Sequence, residues 1–287
     1  MALLVLLSAC VLGTNAWWLA HNDLPDGFQN EYEHVFTLTE VFFRWRDNSL
    51  GDAWPHLWDG YYPPLNVVVG SAAMAVGGSS LDLALGSLTL FFLLLLVVVL
   101  LMGLRFEGPW TAALAVGLVA LYPGIYGNLR RFEPNLVLAA MVALAIAWLV
   151  QRGRLRSYWG AAAFGLFLGV GMLADRLVFA VYLVPVLGVC LSRAWKWKGS
   201  RATPLGLWAT ALVVAALVCG YYYLRFFELQ HTAEVTTQLG GEVTAAGASS
   251  SNHPFWTLRG LSYYPMSWID CQMGLVLGSL TISGLGL

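Results

Sequence analysis

FFLLLLVVVLL, residues 91–101, is an apolar run without a single polar interruption, and it decides the solvent in which this chain folds. A helix that crosses about 30 Å of bilayer hydrocarbon needs about 20 such residues. Lipid offers no partners for free backbone groups, so a crossing segment of this kind has to be helical. The run and its apolar flanks therefore predict a membrane-spanning helix over 81–103.

The rest of the chain has the same character. Of its 287 residues, 59% are hydrophobic and 11% are charged, whereas a soluble domain carries about a quarter charged residues. This composition excludes an ordinary soluble protein and predicts an all-α, polytopic transmembrane helical bundle that forms one domain over 1–287. The predicted spans are 2–20, 81–103, 109–126, 135–151, 158–174, 177–192, 204–226 and 266–287.

Basic residues predict which ends of these spans face the cytoplasm. Arginine and lysine concentrate in three short turns, around Arg105, over 152–156 and over 193–201, where Glu107 is the one acid. Short loops rich in these residues stay on the cytoplasmic side. The three turns share that side only if the apolar segment 65–78 does not cross. We therefore expect 65–78 to dip into the membrane or to lie along it.

The opposite side then carries a long external first loop, 21–80, and a second external loop, 227–265. Within the first loop, apolar residues recur at near-helical spacing between Val35 and Trp45. Such spacing is typical of an amphipathic helix, and we expect this one to lie on the membrane surface.

Four short motifs follow one another on the predicted external side: Asn30-Glu31, Tyr62–Leu65 (YPPL), Arg130–Leu136 (RRFEPNL) and Gly169–Arg176 (GVGMLADR). In this order they resemble the GT-C glycosyltransferases, in the branch of the protein O-mannosyltransferases and lipid A aminoarabinose transferases. That branch has Asp-Glu, Lys/His-Pro-Pro-Leu, Arg-x-x-Asp-x-x-Leu and Gly-Leu-x-x-Leu-Thr-Lys/Arg at these places. Here Asn30 replaces the first acid, Tyr62 replaces the cation, and Asp175 moves the last cation to Arg176.

The resemblance implies a GT-C-like bundle that transfers a sugar, with inversion, from a polyprenyl-phosphate donor to an acceptor at the outer face. The acceptor would be a protein, a lipid or a glycan of the cell envelope. Members of the family are usually longer, and the chain stops within an apolar run, which predicts a short variant or a missing C-terminal part. The implied roles are a base or acceptor-orienting group at Glu31, assistance from Glu133 and Glu33, donor-phosphate binding by Arg176, Arg130 and Arg131, and substrate binding by Tyr62, Asp175 and His34.

The chemistry of such a transfer requires carboxylates and cations, independently of the resemblance. A carboxylate orients or deprotonates the acceptor, and cations stabilise the charge that develops on the leaving phosphate. No nucleotide-binding glycine motif is present in the sequence, which favours a lipid-linked donor. The histidines lack metal-ligand spacing, so we predict no metal site, and no cofactor besides the polyprenyl-phosphate sugar as donor substrate.

Two other classes of function compete with this hypothesis. A polar-lipid transporter or flippase would carry charged or broken helices at mid-membrane, whereas the charges here collect at the predicted membrane boundaries. A catalytically inert membrane scaffold is the other alternative, because Asn30 stands where the family has an acid. The predicted partners are membrane lipid, the lipid-linked donor and an unknown acceptor, without nucleic acid. The predicted location is the bacterial inner membrane, with the active face toward the periplasm.

Overall fold

The computed structural model describes residues 2–21, 29–47, 50–58, 62–151, 157–175 and 202–240, together with single positions between 179 and 188. Within these ranges every regular element is a helix and no strand occurs, so the all-α prediction is confirmed. The helices are α1 (Ala2–His21), α2 (Gln29–Asp47), α3 (Leu50–Trp58), α4 (Leu65–Gly77), α5 (Leu81–Phe106), α6 (Pro109–Leu121), α7 (Pro123–Gly127), a 3-10 turn (Asn128–Arg130), α8 (Asn135–Gln151), α9 (Tyr158–Met172) and α10 (Ala202–Gly240).

Among the described residues, two helices are long and apolar enough to cross a membrane, Leu81–Phe106 and Leu205–Leu229. A third candidate is the bent pair Pro109–Leu121 and Pro123–Arg130, if it forms one span. Three shorter apolar helices accompany them, at Leu65–Gly77, Asn135–Val150 and Tyr158–Met172. These helices are consistent with a membrane protein. The predicted span 266–287 and most of 177–192 lie outside the described residues.

The predicted span 109–126 is interrupted by a bend of 51°. Tyr122 leaves the helical region, with φ −69° and ψ 120°, and Pro123 then begins α7. A residue before proline is pushed toward extended backbone, and the proline itself has no N–H to continue the helical hydrogen bonds. The bend turns the chain into the 3-10 turn, whose last residue is Arg130.

Helices α9 and α10 pack in parallel through small residues. At the start of α9, a Cβ built on Gly206 of α10 would lie 3.1 Å from the Tyr158 hydroxyl. At the end of α9, the Met172 carbonyl accepts a hydrogen bond from the Tyr223 hydroxyl of α10 at 3.1 Å. A Cβ on Gly169 would lie 2.9 Å from a carbonyl oxygen of α10, that of Ala215. Glycines allow this backbone approach. The two contacts at the ends of the pair show that both helices run in the same direction.

Helix α4 lies where several other elements end. The Leu65 N–H donates to the Leu173 carbonyl, just beyond α9, at 2.9 Å. One turn later, a Cβ on Gly70 would lie 2.7 Å from the Phe132 ring and 2.9 Å from Leu38 of α2. The prediction that 65–78 dips into the membrane or lies along it stays a prediction.

The predicted first loop, 21–80, contains more helix than the sequence indicated. The predicted surface helix over 35–45 extends over Gln29–Asp47, and α3 and α4 follow it. Its apolar residues also divide between two faces: Leu38 and Phe42 are buried, whereas Phe36 is 58% exposed. Leu38 and Phe42 thus pack inside the protein, and the predicted position of this helix on the membrane surface stays a prediction.

The first residues of the predicted second loop, 227–240, are helical. Helix α10 continues to Gly240. Residues 227–239 contain neither proline nor glycine, and glutamate, leucine, glutamine and alanine among them favour helix. The pair Gly240-Gly241 then provides the stop signal.

Candidate functional site

A cavity of about 910 Å³ lies between the end of α1, the bend from α6 into α7, the 3-10 turn and α8. Its polar lining comes from the turn that joins α7 to α8. Its apolar lining comes mainly from α8. The polar lining side chains of this turn are Asn128, Arg130, Arg131, Glu133 and Asn135.

The apolar wall follows from the spacing of α8. Leu138, Val142 and Ile146 line the cavity at four-residue intervals, together with Ala139 and Ala143. Residues four apart lie on one face of a helix, and the distance from 138 to 146 corresponds to about 12 Å along its axis. The cavity is therefore amphiphilic, with charged groups at the start of α8 and an apolar surface that continues for two helical turns.

Arg130 is held at the polar end by aromatic side chains. Its guanidinium carbon lies 4.5 Å from the centre of the Tyr126 ring and 5.0 Å from that of Trp18, at the end of α1. The guanidinium also donates a hydrogen bond to the Tyr126 hydroxyl. Cation–π contacts at these distances are attractive. Its Nε is buried and has no hydrogen-bond partner among the described residues.

Glu133 is positioned by amide side chains. Its Oε2 accepts a hydrogen bond from the Asn135 side-chain nitrogen at 2.7 Å. The same nitrogen lies 3.3 Å from the Asn128 Oδ1. The half-buried carboxylate is thus fixed at the edge of the cavity that Arg130 and Arg131 also line. A carboxylate and two guanidinium groups therefore share one cavity.

Three other predicted residues meet in a second group, the α2 cluster, formed by Glu33, His34 and Tyr62. The Tyr62 hydroxyl donates to the Glu33 Oε2 at 2.7 Å. The Tyr62 ring centre lies 4.0 Å from that of His34, with an angle of 42° between the planes. The cluster joins the start of α2 to the Pro63-Pro64 segment that leads into α4.

The predicted residues do not all belong to one cavity. Glu31 lies in the first turn of α2, and its side chain is outside the described residues, as is all of Arg176. Asp175 is half-buried just beyond α9. Neither Asp175 nor any member of the α2 cluster lines the cavity. Six of the described candidates therefore form two groups of three, at the cavity and in the α2 cluster, and Asp175 belongs to neither.

Sequence reasoning missed several residues of the cavity. Trp18 and Tyr126 carried no signal beyond their places at the ends of the predicted spans 2–20 and 109–126. The apolar wall of α8 has the four-residue spacing of a helical face, but α8 is apolar on all sides, so the pattern could not show which face borders a cavity.

Burial of His34 has a consequence for stability. The side chain is 3% exposed, and desolvation lowers its pKa from 6.5 to about 4, against the opposing effect of the Glu33 carboxylate. Between these pH values the unfolded chain binds a proton that the folded chain does not. We therefore expect stability to fall as the pH is lowered from 6.5 to 4, by up to roughly 3 kcal/mol.

Thermal unfolding of the purified protein in detergent, followed between pH 7 and pH 4.5, measures this effect. His34→Gln should flatten the dependence, because glutamine does not titrate. His21→Gln changes an exposed histidine at the end of α1 and should leave the dependence intact. Equal slopes in the wild type and His34→Gln would contradict the assignment.

No protein-family model, curated protein or solved structure matches this chain. The chemistry of the cavity and the order of the short motifs are therefore the basis for a functional proposal.

Proposed function

We propose that the protein binds a polyprenyl-phosphate sugar and transfers the sugar to an acceptor at the outer face of the membrane. In this proposal the chain is a multi-span GT-C-like bundle in the bacterial inner membrane, with the cavity open to the periplasmic side. The observation that carries the proposal is the amphiphilic cavity. Two arginines and a glutamate stand at one end of it, and an apolar wall continues along α8.

The two parts of the cavity fit the two parts of such a donor. Guanidinium groups bind phosphate oxygens through paired, charge-assisted hydrogen bonds, which is the role of Arg130 and Arg131. The prenyl chain lies against Leu138, Val142 and Ile146, where burial of its surface is favourable. A soluble nucleotide sugar has no prenyl chain that could be buried against this apolar wall.

The reaction is a single displacement at the anomeric carbon. The acceptor oxygen or nitrogen forms a bond to that carbon while the bond from the carbon to the phosphate oxygen breaks. The electron pair of the broken bond leaves with the polyprenyl phosphate, and the acceptor proton passes to a carboxylate. The arginines stabilise the negative charge that increases on the leaving phosphate.

Glu133 is proposed as the carboxylate that accepts this proton, since it lines the same cavity as the arginines. Glu31 remains the alternative from the family resemblance, with Glu33 as a second one on α2. In this proposal the α2 cluster and Asp175 bind the substrate on the acceptor side, and Arg176 stays a further candidate for the donor phosphate. The acceptor is a protein, lipid or glycan of the envelope.

Sugar transfer from radiolabelled polyprenyl-phosphate sugars by membranes that carry the full chain tests the proposal. Arg131→Gln should raise the KM for the donor at least about tenfold, because a charge-assisted hydrogen bond contributes about 1.5–3 kcal/mol. Arg105→Gln is the matched control, since Arg105 is exposed in the last turn of α5. Donor binding without turnover would favour the transporter or scaffold, and absence of binding by folded wild-type protein would overturn the proposal.

A further inference from the structure

One element that the proposed reaction does not use reaches into the donor cavity. Helix α1 ends beside it, and Trp18 is the residue of α1 that lines the cavity. The same indole lies 5.0 Å from the guanidinium carbon of Arg130. Its neighbour Trp17 is 63% exposed and stacks on His21 of its own helix, at 4.8 Å between ring centres. Adjacent tryptophans of one helix thus have separate surroundings.

We infer that Trp18 and Tyr126 are positioning residues that fix the guanidinium of Arg130 for an anionic phosphate headgroup, so that α1 sets the affinity of the cavity for phosphate. This inference rests on the proposed function, because it assigns a phosphate to the polar end of the cavity. It adds a role for the first helix, which the short motifs do not include.

Two kinds of contact restrict the arginine. The rings of Trp18 and Tyr126 both lie within cation–π distance of its guanidinium, and the Tyr126 hydroxyl accepts a hydrogen bond from it. A free arginine side chain loses considerable rotamer entropy when it binds an anion. Aromatic contacts that already hold it reduce this loss, which is the general advantage of a preorganised site.

The Nε of Arg130 gives further support to this inference. This donor is buried and has no partner among the described residues, and a buried donor without a partner is unfavourable. The arginine is therefore held by its aromatic contacts while part of its hydrogen-bonding capacity is unused. A phosphate at the polar end of the cavity can take up that capacity after a small adjustment of the side chain.

The experiment compares farnesyl phosphate with farnesol as ligands of the purified full chain in lipid nanodiscs. The two probes share the apolar chain and differ in the phosphate. The wild type should bind farnesyl phosphate more tightly, and Arg130→Ala should reduce that preference. Arg131 should retain part of the preference in the Arg130→Ala variant. Trp18→Ala should weaken farnesyl phosphate binding roughly 3- to 30-fold, the range that one cation–π contact supports, and should leave farnesol binding unchanged.

Matched variants separate positioning from folding. Trp17→Ala removes the neighbouring indole and should change neither affinity. Tyr126→Phe keeps the ring, removes only the hydroxyl, and should weaken farnesyl phosphate binding less than Trp18→Ala. In an Arg130→Ala background, Trp18→Ala should have no further effect on phosphate affinity, since the two residues act through one group.

The outcomes distinguish this inference from the proposal on which it rests. If the wild type binds farnesyl phosphate no better than farnesol, the phosphate site itself is refuted and the inference falls with it. If the wild type shows the preference but Trp18→Ala keeps it, or loses affinity equally for both probes, then the donor site stands and the positioning role of α1 is refuted.

Discussion

Gly165→Val is expected to destabilise the protein by at least about 3 kcal/mol, the upper end of the range for overpacked interiors. A Cβ at Gly165 would overlap the carbonyl oxygen of Ala211 and approach the rest of its backbone. A backbone carbonyl cannot rotate away as a flexible side chain can, so α9 and α10 have to separate along their length. Unfolding of the purified protein by a denaturing detergent, followed by tryptophan fluorescence, measures the change.

Gly220→Val provides the control for this prediction. Gly220 is a helical glycine of α10 itself, but no atom lies within 4 Å of a Cβ built there. Its replacement adds the same side chain to the same helical pair without touching α9, and the unfolding curve should stay close to that of the wild type. Equal losses in both variants would show that any added bulk is harmful and that the close packing of α9 on α10 has no special role.

Glu133→Gln is expected to lower kcat for sugar transfer by about 100- to 10,000-fold, the usual contribution of a general base. Glutamine keeps the shape of the side chain and can still accept the hydrogen bond from Asn135, but it cannot take the acceptor proton. The KM for the donor should change little, because the arginines bind the phosphate. Steady-state rates at varied donor concentration separate the two constants.

Three variants complete the comparison. Glu107→Gln removes an exposed carboxylate at the far end of α5 and should be neutral. Glu31→Gln and Glu33→Gln test the carboxylates of α2 that the family resemblance favours. If one of these abolishes transfer while Glu133→Gln retains it, the base belongs to α2, and Glu133 has only a structural part in the turn before α8.

The all-α character could be predicted, because an apolar segment in lipid has to satisfy its backbone hydrogen bonds internally, as a helix does. The apolar run over 91–101 becomes the middle of α5, and the glycine pair at 240 marks the end of α10. The bend at Pro123 was also visible in principle, since a proline within an apolar segment restricts the residue before it. We interpreted the segment as one span because its apolar character continues on both sides of the proline.

The site was harder to predict, for a physical reason. The motif residues Arg130, Arg131 and Glu133 are adjacent in sequence, so their presence at one cavity follows from a single turn. Trp18 reaches the same cavity from α1, and no local pattern relates positions so far apart in the chain. The hydrogen bond between Tyr62 and Glu33 likewise depends on how α4 is placed against α2, which tertiary packing decides.

The bond from the Leu65 N–H to the Leu173 carbonyl also bears on the order in which the protein is made. Translation releases α4 long before α9, so the amide at the start of α4 has no acceptor from α9 while the intervening helices are being inserted. The parallel partner of α9 emerges later still. The start of α4 therefore gains this contact only after α9 has been made.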